Sequence, residues 1–443
     1  MIQGISGARG RVGVDFVPEV CLKLASAFGS VITEGRIVVG RDTRPSGVMA
    51  FHCVAAGLLS TGHPVVDLGV IPTPAIEFAV PEISAAGAVI ITASHNPAEW
   101  NGLKFLDRDG LFLSPEVINK VYRYASLERP ETLSMHIAQQ MEQRDVLSGY
   151  LEGLMRLVDG SVIKKKGLRV VVDCVNGATA FAAPALLSRL GAEVIPLNCE
   201  PSGIFSHPPE PRPENLTDLS EKVKDTQADL GLAFDPDGDR LAVVSEAGTP
   251  LSEELTLALC VDWILSRQAG PVVINLATSM VIEDLGKKYK VPVYRTPVGE
   301  FYVADRMKET GAVIGGEGNG GVIYPPGHLG RDGLVGAALI MEYLATRGKK
   351  ISELVADLPD YVLVKDKIAQ PPYSAGEMVQ RIKGAFPESG FDQRDGIRIA
   401  GKNWWVLVRF SNTEPIIRIF AEAPERQEAE EKISFMKKVL SPG

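Results

Sequence analysis

The segment Asp235-Pro236-Asp237-Gly238-Asp239-Arg240 is the densest packet of chemistry in the sequence. Three carboxylates at alternate positions, with a proline and a glycine bending the backbone between them, can converge on one hard cation. Left without a cation, such crowded carboxylates repel one another. A calcium-binding EF-hand loop needs glycine at its sixth position, and here that residue is Arg240, which excludes it. Magnesium suits the segment, because it takes a few carboxylates and keeps places for phosphate oxygens and water. A second packet is Thr92-Ala93-Ser94-His95-Asn96-Pro97. It follows the apolar run 88–91, which reads as a buried strand, and Asn96-Pro97 is a stop-and-turn signal. A hydroxyl on a small-residue turn at a strand end is placed to be presented rather than packed.

Three further groups complete the set. Arg409 and Arg418 flank a turn containing Ser411, Asn412 and Thr413, a combination of guanidinium, hydroxyl and backbone N–H donors that suits a phosphate. Glu317 and Asn319 stand in the glycine-rich stretch 316–321, where backbone can approach a ligand closely and a carboxylate and an amide suit sugar hydroxyls. No Gly-Lys-Ser/Thr follows, so this is not a P-loop. Lys104 in 101–104 and Arg9 in 6–10 read as cations on loops near the same cleft. A hydroxyl nucleophile, a magnesium loop, a sugar loop and a phosphate pocket together describe phosphoryl transfer to a phosphorylated polyol, with positioning and charge stabilisation as the main sources of catalysis.

These groups need a scaffold that brings them together, and the chain carries an internal repeat that would do so. The order strand, helix, strand, then a short strand ending in a polar loop occurs three times. The first copy has strands near 36–40, 64–68 and 88–91 and ends at the Ser94 turn. The second has strands near 168–173, 193–197 and 228–234 and ends at the 235–240 loop. The third has strands near 271–275, 291–294 and 312–315 and ends at 316–321. Strands alternating with helical patterns predict βαβ units and mixed, largely parallel sheets. Three equivalent strand ends could then face one cleft. The last stretch differs, with strands at 403–410 and 416–421 and a helix at 425–440, as in a small α+β domain. The expected class is α/β: three related α/β/α domains at 1–150, 151–250 and 251–362, and a closing α+β domain at 363–443.

The 443 residues, 45% hydrophobic and 23% charged, have the composition of an ordinary globular protein with ample core. A net charge of −9 argues against a partner that is nucleic acid or an anionic membrane, but it permits a small anionic ligand in a local basic pocket. The five cysteines are odd in number and form no C-x-x-C motif, which favours reduced thiols and a cytoplasmic setting. The N-terminus lacks the pattern of a signal peptide. The longest apolar run, near 255–265, is too short to span a membrane and carries Asp262.

Four motifs in this order resemble those of the α-D-phosphohexomutase superfamily: 92–97 its phosphoserine loop, 235–240 its metal loop, 316–321 its sugar loop and 409–415 its phosphate loop. The resemblance spans the chain. It implies a last domain of TATA-binding-protein-like fold. It also implies a cytoplasmic isomerase that interconverts hexose 6-phosphate and hexose 1-phosphate, with a small phosphosugar as its ligand. Ser94 would carry a phosphate, and a hexose 1,6-bisphosphate would be both intermediate and activator. Mg2+ would bridge the phosphoserine at Ser94 and Asp235, Asp237 and Asp239. Lys104 would be a general acid/base, its pKa depressed by neighbouring Arg9, and His95 would orient the loop. Arg240, Glu317, Asn319, Arg409, Ser411, Asn412, Thr413 and Arg418 would bind substrate. The commoner sugar-loop pattern is Gly-Glu-x-Ser-Gly-His, whereas this chain has Asn319 and Gly321, as archaeal-type members do. His328 is the candidate replacement for the missing imidazole. The expected activity is that of a phosphoglucosamine mutase, with phosphomannomutase/phosphoglucomutase as the close alternative, in a monomer or homodimer. Two rivals are an inactive sugar-phosphate-binding protein and a phosphatase using Asp235 as nucleophile.

Overall fold

The computed structural model describes residues 1–127, 137–370, 373–386, 390–410 and 416–441. The repeat is realised in three sheets of matching topology. In the first, the Ile37–Arg41 strand lies between the parallel strands Val65–Val70 and Gly87–Ile91, and Trp100–Leu106 pairs antiparallel beyond Gly87–Ile91. In the second, Arg169–Asp173 lies between Glu193–Leu197 and Leu230–Phe234, with Leu241–Ser245 antiparallel at the edge. In the third, Val272–Asn275 lies between Val293–Thr296 and Ile314–Glu317, with Gly321–Ile323 antiparallel. The central strands are buried on both faces, so they read in sequence as continuous Val/Ile/Leu runs rather than alternating ones.

In each copy the strand beside the antiparallel edge ends at a chemistry-bearing loop: Ile91 leads to Ser94, Phe234 to Asp235, and Glu317 itself closes the third. The antiparallel partner is what turns the chain back at this end and fixes the loop between two hydrogen-bonded strands. The first sheet is extended to seven strands. An N-terminal hairpin of Ile2–Gly4 and Gly7–Arg11 joins one edge, and Met141–Gln143 joins the other. Arg9 and Lys104, expected on loops, therefore lie on neighbouring strands, with Ala8 opposite Leu103. The sequence hides this hairpin because Gly-Ala-Arg-Gly-Arg has neither β-branched residues nor a clean alternation.

Two helices form the centre of the molecule. Glu253–Leu265 and Gly333–Arg347 are buried almost along their whole length, as expected of helices apolar on all sides. The apolar run at 255–265 is thus core. Its Asp262 is satisfied by the hydroxyls of Tyr289 and Tyr343 and by Lys288. No helix among the described residues is long and apolar enough to cross a membrane. The fourth sheet is antiparallel, in the order Val362–Ala369, Ile416–Ala423, Trp405–Phe410, Ile397–Ala400, Phe391–Asp392. The helices Ala375–Ala385 and Arg426–Leu440 complete its core. It docks on the third copy through Glu422, which accepts from the Met280 N–H (2.8 Å), and Asp395, which accepts from the Val298 N–H (3.1 Å).

Candidate active site

Ser94 is held in a strained, presented conformation. Its φ is +51°, in the left-handed region, and the residue is 7% exposed. A buried clamp enforces the turn. The Ser94 N–H donates to Thr92 Oγ1 (2.9 Å), whose hydroxyl donates to Asp42 Oδ2 (2.6 Å). Arg44, ion-paired to Asp42, donates to the carbonyls of Ser94 (2.8 Å) and Asn96. With its backbone committed, Ser94 is free to aim its Oγ at the cleft. Oγ lies 3.2 Å from Asp235 Oδ2 and 3.3 Å from His95 Nδ1. Burial and the cations Arg240 and Arg9 hold His95 well below the usual imidazole range.

The carboxylates of Asp235, Asp237 and Asp239 converge, with one oxygen from each lying within 4.8 Å of the others. Gly238 allows the turn by taking φ +76°. Asp235 Oδ1 accepts from the Arg240 N–H (3.1 Å). Asp237 Oδ2 accepts from Thr73 Oγ1 (2.9 Å) and Lys104 Nζ (2.7 Å). Asp239 Oδ2 accepts from Lys104 (3.3 Å) and Arg331 Nη2 (2.7 Å). The remaining oxygens, Asp237 Oδ1 and Asp239 Oδ1, are buried and lack a hydrogen-bond partner among the described residues. Burial together with Asp239 and Asp237 pushes the Asp235 carboxyl well above its ordinary range. Three adjacent carboxylates, two of them with an orphaned hard oxygen, fit a divalent cation, which would relieve both the missing partners and the mutual repulsion.

Lys104 departs from expectation. Burial alone would lower its pKa, but the Asp237 and Asp239 carboxylates outweigh this and raise it above the ordinary lysine value. Arg9 is close in the sheet, but Lys104 spends its donors on the aspartates, so it is an ammonium here and not a depressed-pKa base.

In the third loop, Glu317 Oε1 accepts from Asn275 Nδ2 (2.7 Å) and the Gly299 N–H (3.0 Å), and Oε2 accepts from Arg331 Nη1 (2.8 Å). Asn319 lines the cleft beside it. His328 does not. Its Nδ1 accepts from the Gly330 N–H (3.0 Å) and its Nε2 bonds Asp332 Oδ2 (3.0 Å), which also accepts from Tyr150 (2.7 Å). Both ring nitrogens are spent inside the protein, so the expectation that His328 replaces the sugar-loop imidazole is corrected. Arg331, Glu300, Asn275, the Asp42–Arg44 pair and Glu210 were not singled out in the sequence. Glu210 pairs with Arg240 (3.3 Å) at the cleft mouth. Each acquires its place only through partners on other elements.

All these loops open on one cleft of about 410 Å³. Arg409 and Arg418, directly opposite each other on adjacent strands, line it together with Ser94. Arg409 is ion-paired to Asp395 (3.3 Å). Arg9, which donates to Asn96 Oδ1 (2.8 Å), is pushed below its ordinary value by burial and by Arg240 and Arg418. A part-buried guanidinium crowded by other cations is poised for an anionic ligand. Ser411, Asn412 and Thr413 lie outside the described residues.

Comparison with known proteins agrees with this layout. Four domain families, described as phosphoglucomutase/phosphomannomutase alpha/beta/alpha domains I, II and III and C-terminal domain, match residues 1–131, 148–248, 252–361 and 361–436. A phosphoglucomutase/phosphomannomutase of Thermococcus kodakarensis is 39% identical, covering 99% of this chain and 98% of that one. A phosphoglucosamine/phosphogalactosamine mutase of Sulfurisphaera tokodaii is 35% identical, covering 99% and 98%. The crystal structure of a family member from Burkholderia thailandensis superposes with a TM-score of 0.87 at 29% identity, covering 100% and 99%. With four domains matched in order and relatives aligned end to end, the chain belongs to the phosphoglucomutase/phosphomannomutase family of α-D-phosphohexomutases.

Proposed function

We propose that this protein interconverts hexose 6-phosphate and hexose 1-phosphate through a phosphoserine at Ser94 and a hexose 1,6-bisphosphate. The observation that carries the proposal is the meeting of Ser94 Oγ with Asp235 at 3.2 Å, beside a cleft that the Arg409–Arg418 pair also lines. Ser94 gives its phosphoryl group to the free sugar hydroxyl and takes back the other phosphate after the intermediate has turned. The arginine pair grips whichever phosphate is not reacting. Glu317 and Asn319 receive the sugar hydroxyls, and Arg9 and Arg240 offset charge near Ser94. Lys104 adds a fixed positive charge, which suits a reaction catalysed mainly by positioning and electrostatics. His95 orients the Ser94 hydroxyl. Asp235, Asp237 and Asp239 would hold Mg2+, which when bound supplies Lewis-acid stabilisation of phosphoryl charge.

The preferred sugar in this reading is glucosamine, supported by the names of several relatives at 34–39% identity. The carboxylates of Glu253 and Glu317 on the cleft wall suit an ammonium substituent. Phosphomannomutase/phosphoglucomutase activity is the second reading, favoured by the Thermococcus relative. The same proposal places the domain borders near 150, 250 and 362. It places the protein in the cytoplasm, in keeping with five free cysteines. Initial rates with the 1-phosphates of glucosamine, mannose and glucose test the choice of sugar, and fastest turnover of mannose 1-phosphate would overturn it. Substitution of Ser94 by Ala separates mutase from phosphatase. The mutase loses several orders of magnitude in kcat/KM, whereas a phosphatase acting through Asp235 keeps its activity.

A further inference from the structure

Gly321 stands where the commoner sugar-loop pattern has histidine, and the structure shows what fills that space. A Cβ at 321 would lie 2.4 Å from Cδ of Arg331 and 3.1 Å from its Cγ. The stem of Arg331 runs through the volume that a side chain at 321 would need. Its guanidinium then divides among three carboxylates: Nε donates to Glu300 Oε2 (2.9 Å), Nη1 to Glu317 Oε2 (2.8 Å) and Nη2 to Asp239 Oδ2 (2.7 Å). The backbone N–H of Arg331 donates to Glu300 Oε1 (2.8 Å), which fixes where the side chain departs. The side chain is only 10% exposed, so these pairs are little screened.

Glu317 ends a strand of the third sheet, and Asp239 follows a strand of the second. One guanidinium therefore spans the two loops. We infer that Arg331 is the positioning residue that registers the sugar loop against the metal loop, and that Gly321 is glycine because Arg331 occupies its side-chain space. The role assigned to each loop rests on the mutase reading, but the coupling between them does not. A guanidinium suits the task because its planar fork holds two carboxylates at fixed angles and its charge is permanent. A lysine offers a single point charge and cannot serve both carboxylates in that geometry. The coupling has a direction. Whatever loosens Glu317 from Arg331 leaves Arg331 to pair more fully with Asp239, in competition with a cation on the metal loop.

A double-mutant cycle on the full chain tests this, with Mn2+ alone as the probe and its affinity read by calorimetry. Glu317→Gln is expected to weaken Mn2+ binding about fivefold when Arg331 is present, and to leave it unchanged in the Arg331→Met background. Should the Met variant fail to fold by circular dichroism, Arg331→Lys serves as the second background with the same expectation. No effect of Glu317→Gln on Mn2+ in the otherwise wild-type chain, or the same effect in both backgrounds, overturns the inference. The spatial half is tested by Gly321→His. It should raise KM for the hexose 1-phosphate about tenfold or more in the otherwise wild-type chain, and change KM little when introduced into Arg331→Ala, because the new ring then has room. An equal rise in both backgrounds overturns the spatial claim. If the wild-type protein turns over no hexose phosphate, the mutase reading fails while the Mn2+ cycle still decides the coupling.

Discussion

The hydroxyl of Ser94 is useful because its backbone is not free to relax. Arg44 and Asp42 form a buried ion pair that spends its outward donors on the carbonyls of Ser94 and Asn96. Arg44→Met should therefore act twice. It strands Asp42 as a buried charge, costing about 3–5 kcal/mol in chemical denaturation. It also releases the turn, lowering kcat more than it raises KM. A second residue-scale prediction concerns pH. Burial pushes the Glu254 carboxyl up to about 8 from an ordinary 4.5. Between those values the folded chain binds more protons than the unfolded one, so this group's contribution to stability falls as pH rises through the window. Glu254→Gln should remove that fall. Its melting temperature relative to wild type should climb from about pH 5 to about pH 8, and a constant difference would contradict the assignment.

At this scale the sequence was legible wherever chemistry was local. The three aspartates, Ser94 and Glu317 each announce themselves within a few residues. Asp42–Arg44 did not, because only burial distinguishes such a pair from a surface one. The raised pKa of Lys104 is hidden from the sequence for a related reason. The carboxylates that raise it lie more than a hundred residues away along the chain.

The elements show why one topology, used three times, suffices. Each copy places its loop at the end of the strand beside the antiparallel edge, so duplication carries position along with fold. The buried strands were readable as apolar runs. The Gly321–Ile323 strand and the N-terminal hairpin were not, because they are short and glycine-rich and acquire their conformation from the neighbour they pair with. One element joint merits a prediction. Asp332 caps the Gly333–Arg347 helix by accepting from the N–H groups of Leu334 (2.8 Å) and Val335 (3.0 Å), while its other oxygen receives Tyr150 and His328. Asp332→Ala removes a cap and strands buried partners. It should cost about 2–4 kcal/mol in urea denaturation. An effect below about 0.5 kcal/mol would show that the cap and its network are dispensable.

For the molecule as a whole, the site exists only as an intersection. The described contacts bring Ser94 from the first sheet, Asp235 to Asp239 from the second, Glu317 and Arg331 from the third, and Arg409 and Arg418 from the fourth. The last sheet meets the third copy through a small apolar cluster of Leu276, Met280, Trp405 and Leu407 and through the ion pair of Lys365 with Glu253 (2.7 Å). A cleft that must admit a phosphosugar and then exclude water should close on it. Adding hexose 1,6-bisphosphate to the Ser94→Ala variant should reduce the radius of gyration by small-angle scattering, and identical profiles would argue against closure. The repeat let the convergence be anticipated from sequence, but which side chains cross between loops required the packing itself.

The central claim is that Ser94 carries the phosphate through the reaction, and intact mass spectrometry tests it most directly. Wild-type protein incubated with a hexose 1,6-bisphosphate and Mg2+ should gain one phosphoryl group, mapped to the peptide containing Ser94. It should lose that group on addition of hexose 1-phosphate, while Ser94→Ala gains none. A protein that never acquires phosphate at Ser94, or that keeps full turnover without it, would contradict the account.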